Sequence, residues 1–347
     1  MFYIIVIALV VMFSHSIKNN GIFLEKQTTE VIKGVAMMFI IVHHILNVIG
    51  YPIGLGFIGT FGYISTGIFF FLSGYGNWIS SSKTNNISID WLKRRIIRLY
   101  VPFVLCFVAM VTLTGVLRKF IDYDLKPNRV FFDFFTFTLP GMVNWFPKVF
   151  IISIVLFYLV CKFINSDYLR IIIIALLTLI YVIICSFFLK TESFWYNSIP
   201  CFSLGCVVAK YRNRIINILV KCKDKVVIVL IIVTSIVLFA WSYASGKYYW
   251  ELFRFQIVHA IIVCIVCALF TYIFRCKSKF LEYCGKNSFE IYLFHVVFWS
   301  TLKNFNINVY MYTISIYLGT FICVFMYNQV KKKFIYGYNA VIAKKSR

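Results

Sequence analysis

Two adjacent histidines, His43 and His44, lie inside an apolar run, KGVAMMFIIVHHILN, that opens on a cation, Lys33. Ionisable groups within a membrane-length apolar segment are costly to keep there, so they are functional-site candidates by default. A helix advances about 100° and rises about 1.5 Å per residue. Lys33 and His44 are then roughly three turns plus 20° apart, on one face, with about 16 Å between them along the axis. Ile40 and Asn47 fall on the same stripe, and His43 points about 80–100° away. The stripe offers a positive charge at one end, a proton-exchanging ring deep inside, and an amide beyond it.

A second group of cations stands in WLKRRIIRLYVP, where Arg95 and Arg98 are one turn apart and can face the same ligand, as can Arg94 and Arg98. An ordinary basic flank would pair with anionic lipid heads. The planar fork of arginine also suits phosphate, so a polyanionic cofactor is the other natural occupant. Just before it, GIFFFLSGYG carries the hydroxyls of Ser73 and Tyr75 among glycines that permit close helix approach. A third stretch, GKNSFEIYLFH, brings Glu290, Tyr292 and His295 into another apolar segment. His295 lies about 13 Å past Lys286, close to the depth expected of His44. It is either a second histidine facing a common cavity or a packing residue bonded to a neighbouring helix.

The elements that must carry these residues follow from composition. The chain has 347 residues, of which 61% are hydrophobic and 14% charged. A soluble domain holds about 45–50% apolar and about 25% charged residues. Repeated apolar runs of about 20 residues make this an all-α polytopic membrane protein, since helices alone satisfy their own backbone in lipid without closing into a barrel. Eleven spans are predicted, near 2–17, 32–49, 56–78, 99–117, 149–164, 168–189, 195–209, 226–244, 255–274, 287–300 and 308–330. The net charge of +23 would suggest nucleic acid on a soluble chain. Here its distribution excludes that partner. Of 35 lysines and arginines, 26 fall in alternate loops and the C-terminal tail. The positive-inside rule makes those loops cytoplasmic, with the N-terminus outside and the C-terminus inside. Met1–Phe13 lacks a basic flank and a cleavage site, so it is read as an added helix and not a signal peptide.

Other features are read conservatively. The cysteines are scattered, and Cys264–Cys267 is a CxxC inside an apolar helix with no second pair; small helix residues explain it better than a metal or redox centre. Residues 118–148 combine carboxylates with many phenylalanines. Most of these fit an aromatic belt, while Asn144 and Trp145 are candidates for contacting a sugar. His259 is read as a packed or belt histidine.

Taken in order, these motifs resemble the membrane acyltransferase-3 family over roughly residues 28–330. Lys33, ten residues, then His44 is similar to the family's basic-X10-His element, usually written with arginine. Phe70-Phe71-Leu72-Ser73-Gly74 resembles its FFxxSG element. Arg95-Ile96-Ile97-Arg98, followed by Pro102, resembles its RxxR element, and Gly285 through His295 its GxxS…IYLxH element. The resemblance implies one membrane domain over 1–347: a ten-helix core at 28–330, an extra helix and linker at 1–27, and a basic tail at 331–347. It also implies an acyl-CoA donor, most often acetyl-CoA, with no metal, and a hydroxyl acceptor on a surface glycan or glycolipid. The setting is a multi-pass cell-membrane protein among membrane lipid, with a separate glycan-assembly partner as a further possibility. His44 is then the general base, or the carrier of an acyl-histidine; Lys33 and His295 join it in the catalytic set. Arg94, Arg95, Arg98, Ser73 and Tyr75 form the donor site, with Glu290 beside them as a second-tier residue. A transporter or flippase for an anionic glycolipid, or a non-catalytic member of a glycan-assembly complex, is the alternative reading.

Overall fold

The computed structural model describes residues 15–18, 23–51, 56–83, 87–117, 125–140, 145–222, 224–245 and 253–345. In chain order the elements are strand β1 (His15–Lys18), then helices α1 (Lys26–Ile49), α2 (Phe61–Ser81), α3 (Ile89–Val116), α4 (Pro127–Phe135), α5 (Trp145–Phe163) and α6 (Asp167–Ile183). There follow α7 (Pro200–Lys210), α8 (Arg212–Lys221), α9 (Asp224–Ser245), α10 (Phe253–Ile273), strand β2 (Phe274–Lys277), α11 (Lys279–Lys286), α12 (Ser288–Leu302) and α13 (Val309–Lys345). Among the described residues, seven helices are long and apolar enough to cross a membrane: α1, α2 with its preceding turn, α3, α5, α6 with its π-helical extension, α10 and the first part of α13.

Several predicted spans come out differently. The span at 195–209 is an 11-residue helix, α7, entered through the short 3-10 turn Ser193–Trp195. At 1.5 Å per residue α7 is about 16 Å long, roughly half a hydrocarbon core. The span at 287–300 is the 15-residue α12. Most of the span at 2–17 lies outside the described residues. Its last residues form β1, which pairs antiparallel with β2, His15 opposite Lys277.

The chain divides into two compact units, residues 1–100 with 143–286, and residues 101–142 with 287–347. In the first unit α1 is the organising helix. It starts a full turn and more before the sequence pattern suggests, because the residues ahead of it are fixed by burial. Phe23 and Leu24 are buried, Leu24 takes a left-handed φ of 51°, and its N–H donates to Thr271 Oγ1 at 3.1 Å. Lys33 therefore lies about two turns inside the helix and not at its opening. The helix stops at Gly50, whose φ of 87° suits a residue without Cβ and whose N–H returns to the Leu46 carbonyl.

Glycines set the two closest helix crossings of this unit. Gly34 of α1 packs on the Leu281 carbonyl of α11, and Gly285 of α11 packs on the Glu30 carbonyl of α1. Gly74 of α2 meets the Phe202 carbonyl of α7, and Gly205 of α7 meets the Phe71 carbonyl. A Cβ at any of the four would overlap backbone atoms, which cannot swing aside as a side chain can. Aromatic rings fill the space beside α2: Phe70 against Phe146, and Phe157 between Trp78 and Trp91.

In the second unit, Phe103 and Phe107 of α3 pack on Phe134 of α4, and Gly319 of α13 accommodates the ring of Phe298 on α12. α4 exposes Phe131, Phe132 and Phe135 while burying Asp133, the pattern of a helix lying in an interface, within the aromatic segment that the sequence assigns to a belt. Asn144 lies outside the described residues, and Trp145 opens α5. All eleven cysteines are unpaired, and Cys222, at the end of α8, is the exposed one.

The glycine crossings give a direct test. Gly34→Ala or Gly285→Ala should lower the thermal midpoint of the detergent-solubilised protein, by an overpacking penalty of about 1–3 kcal/mol. Gly76→Ala, with open space at its Cβ, should leave the melt within about 0.5 kcal/mol of the parent.

Candidate functional site

The Lys33 end of α1 is a polar cluster built where α11 crosses it. Lys33 Nζ lies 2.8 Å from Glu30 Oε2, one turn back on the same helix. Glu30 is buried, and the Lys33 side chain is a quarter exposed. Around them Gln27 Nε2 donates to Glu282 Oε1 at 2.7 Å, and Arg275 pairs with Glu25 at 2.6 Å. Lys33 thus enters a network of balanced charge, and Gly285, from the late sequence motif, rests on the Glu30 backbone. Two motifs separated by some 250 residues meet at this crossing.

The arginine cluster is sorted by exposure. Arg94 and Arg98 are exposed, and Arg95 is half-buried. Arg95 lies over the Trp91 ring, its guanidinium carbon 3.5 Å from the centroid, and its Nε donates to Asn77 Oδ1 at 2.9 Å. Asn77, on α2, turns its Nδ2 toward Ser73 Oγ at 3.4 Å. Trp91 is itself held by its Nε1, which donates to Ser80 Oγ at 3.1 Å. Ser73, Asn77 and Arg95 therefore form one chain of contacts between α2 and α3, and a face of the guanidinium is stacked while its Nε is directed. Such preorganisation leaves the terminal nitrogens as the groups for an anionic ligand. Tyr75, half-buried, follows Gly74 at the α2–α7 crossing, its backbone against Gly205. Lys33 and Arg95, which short connections would place in one basic funnel, each have their own partners: Glu30 for the first, Asn77 and Trp91 for the second.

At the other end of α1 the two histidines are not equivalent. His43 faces α2, where Gly62 leaves room for its ring; a Cβ on Gly62 would come within 2.7 Å of Nε2. Asn47 Nδ2 lies 3.1 Å from His43 Nε2, and Tyr51 Oη 3.3 Å from its Nδ1. The Tyr51 hydroxyl donates to Asn47 Oδ1. With that proton used, His43 Nδ1–H must donate to Tyr51, and Nε2 accepts from Asn47, which assigns the neutral Nδ1–H tautomer. Both ring nitrogens are thus engaged by local partners. The Asn47 amide, expected on the stripe of His44, serves His43 instead, an i,i+4 neighbour. His44 is half-buried and meets the His43 ring edge-on at 5.4 Å between centroids.

Between the two ends the stripe is filled. Met37, Ile40 and Ile41 are buried at 0–2% exposure, so an apolar plug separates Lys33 from the histidines along α1.

His295 and Glu290 belong to the second unit. His295 is fully buried; its Nδ1–H donates to the Ile291 carbonyl of its own helix at 3.1 Å, and Tyr292 packs edge-on at 5.5 Å. Glu290, also buried, lies 3.8 Å from Lys331 of α13.

Sequence reading missed four residues here. Glu30 and Trp91 were legible in principle, at i−3 from Lys33 and i−4 from Arg95. Asn77 follows Ser73 by one turn. Gly62 gives no local signal, because its role is defined by a ring on another helix.

Removing Lys33 alone strands a buried carboxylate, whereas removing both charges does not. Lys33→Met should therefore destabilise the protein by roughly 1–3 kcal/mol, discounted for the partial exposure of Lys33. The double change Glu30→Gln/Lys33→Met should recover most of that, as read by thermal unfolding in detergent.

Against known proteins, the family model described as an acyltransferase domain matches residues 29–328. Neither the comparison with curated proteins nor that with solved structures finds a match.

Proposed function

The chain belongs to the acyltransferase-3 family, and from that premise we propose that it transfers an acetyl group from cytoplasmic acetyl-CoA to a hydroxyl of a cell-surface or lipid-linked polysaccharide, at the plasma or inner membrane. The observation that carries the site assignment is the inequivalence of the histidines. His43 has both nitrogens engaged by Tyr51 and Asn47; His44, on one helix face with Lys33 and in the position of the family's basic-X10-His element, is the ring that takes a proton from the acceptor hydroxyl. The acyl carbon–sulfur bond breaks as the new carbon–oxygen bond forms, the proton passes to His44, and the coenzyme leaves as the thiolate. His43 orients its neighbour, edge to ring.

Donor binding falls to the basic end. Arg95, stacked on Trp91 and directed by Asn77, is preorganised for the phosphates of the coenzyme, with Arg94 and Arg98 exposed beside it. Ser73 supports Asn77, and Tyr75 lies further along α2. Lys33 works through its pair with Glu30 at the α1–α11 crossing. His295, bonded to its own backbone, shapes the second unit. In this reading the acyl chain passes the level of the buried Met37, Ile40 and Ile41 to reach the histidines.

The shortened α7 also suits a transporter or flippase, since interrupted helices line substrate sites in that class. Binding separates the readings. Purified protein should bind labelled acetyl-CoA, and Arg95→Lys, which loses the planar stack and the Nε–H, should weaken binding about tenfold. In membranes carrying the protein, His44→Ala should abolish label transfer to the glycan fraction, and His43→Ala should reduce it by about tenfold through lost positioning. Parental transfer by His44→Ala would refute the assignment of the base.

A further inference from the structure

His259, which the sequence suggests is a packed or belt residue, sits in a buried hydrogen-bond network of the first unit. Tyr63 Oη lies 2.6 Å from His259 Nδ1. Ser198 Oγ is 3.0 Å from the Tyr63 carbonyl and 2.9 Å from Asn197 Oδ1, and Thr66 Oγ1 is 2.7 Å from Ser198 Oγ. Asn197 Nδ2 donates to Gln256 Oε1 at 3.0 Å, one turn before His259 on α10. His259, Asn197 and Ser198 are 0–2% exposed. Two helices and the non-helical segment ahead of α7 are joined by these groups. Irregular backbone beside membrane helices persists only where protein covers it, and intramembrane ionisable residues are kept for a purpose.

The network converges on the first turn of α2. Tyr63 contributes both its hydroxyl and its carbonyl, and Thr66 reaches back 3.1 Å to the Gly62 carbonyl. Gly62, in that same turn, is the surface against which the His43 ring lies. Having no side chain, Gly62 can adjust to the ring only by moving the backbone, and the backbone here is fixed from the other side by Ser198 and His259. The histidine pair is thus set from two directions: Asn47 and Tyr51 hold the edge of His43, and the turn held by the network supports its face.

We propose that Tyr63, His259, Ser198 and Thr66 form a positioning network for the histidine pair, pinning the first turn of α2 beneath His43 and so fixing His44. The functional part of this rests on the assignment of His44 as the base. The network itself is a statement about His43, so it is tested separately. With ring-15N histidine in the full-length protein in lipid bilayers, magic-angle-spinning NMR resolves the ring nitrogens of the five histidines. Tyr63→Phe and His259→Leu should shift the His43 nitrogens. His259→Asn, which keeps an acceptor where Nδ1 stood, should leave them near the parental positions.

The second readout is transfer of label from acetyl-CoA to the glycan fraction. Tyr63→Phe and His259→Leu should each lower it about tenfold with unchanged acetyl-CoA affinity, the double variant no further than either single change, and His259→Asn should restore most of the rate. Unmoved His43 signals in Tyr63→Phe and His259→Leu would overturn the proposal. So would additive losses in the double variant. Absence of transfer by the parent protein would refute the acyl-transfer reading and leave the NMR result to decide the network. Should His259→Leu fail to fold, Tyr63→Phe, which removes a single oxygen, carries both readouts.

Discussion

A polar group removed from water must find its partner inside the protein, and this constraint orders almost everything seen around α1. Lys33 is half-buried because Glu30 is one turn behind it. Arg95 leans on an indole and an amide. His43 has an amide and a phenol at its two nitrogens. Glu30, Trp91 and Asn47 are each one helical turn from the group they serve, while Asn77 and Tyr51 come from a neighbouring helix and from the residue past Gly50. The glycine crossings are not decoration on the fold. Without Gly34 and Gly285 at contact distance, α11 could not carry Glu282 to the start of α1, beside the Arg275–Glu25 pair supplied from β2.

How far the sequence could be read follows the same division. The helical membrane class, the basic ends and the residues of the α1 stripe were legible because composition and 3.6-residue periodicity are local signals. The pairings Lys33–Glu30 and Arg95–Trp91 were within reach for the same reason, one turn apart on a single helix. Periodicity put Asn47 on the stripe of His44, yet at about 100° per residue it is roughly 40° from His43 and roughly 60° from His44, so the same phase accounts for its bond to the ring four residues earlier. The network of Tyr63 and His259 was out of reach, since its members are 196 residues apart in the chain. The short α7 was missed because hydropathy does not register where a helix begins within an apolar stretch; Pro200 at its first turn was the available cue.

A functional tension is visible in α1 itself. Its two ends are polar and its middle, Met37 to Ile41, is packed as tightly as any part of the core. Close packing of this kind has discrete alternatives and does not deform gradually. The α11 crossing fixes one end of this segment and the contact of His43 with Gly62 the other.

The exposed Cys222 at the end of α8 has a separate consequence. The other cysteines are buried or partly buried, so the natural chain already carries one preferred thiol handle, in its strongly basic Lys210–Lys225 stretch. A charged maleimide that cannot cross lipid reaches it from one compartment alone. Sidedness can thus be read on the unaltered polypeptide, in sealed vesicles, with no engineered reporter to disturb the helices.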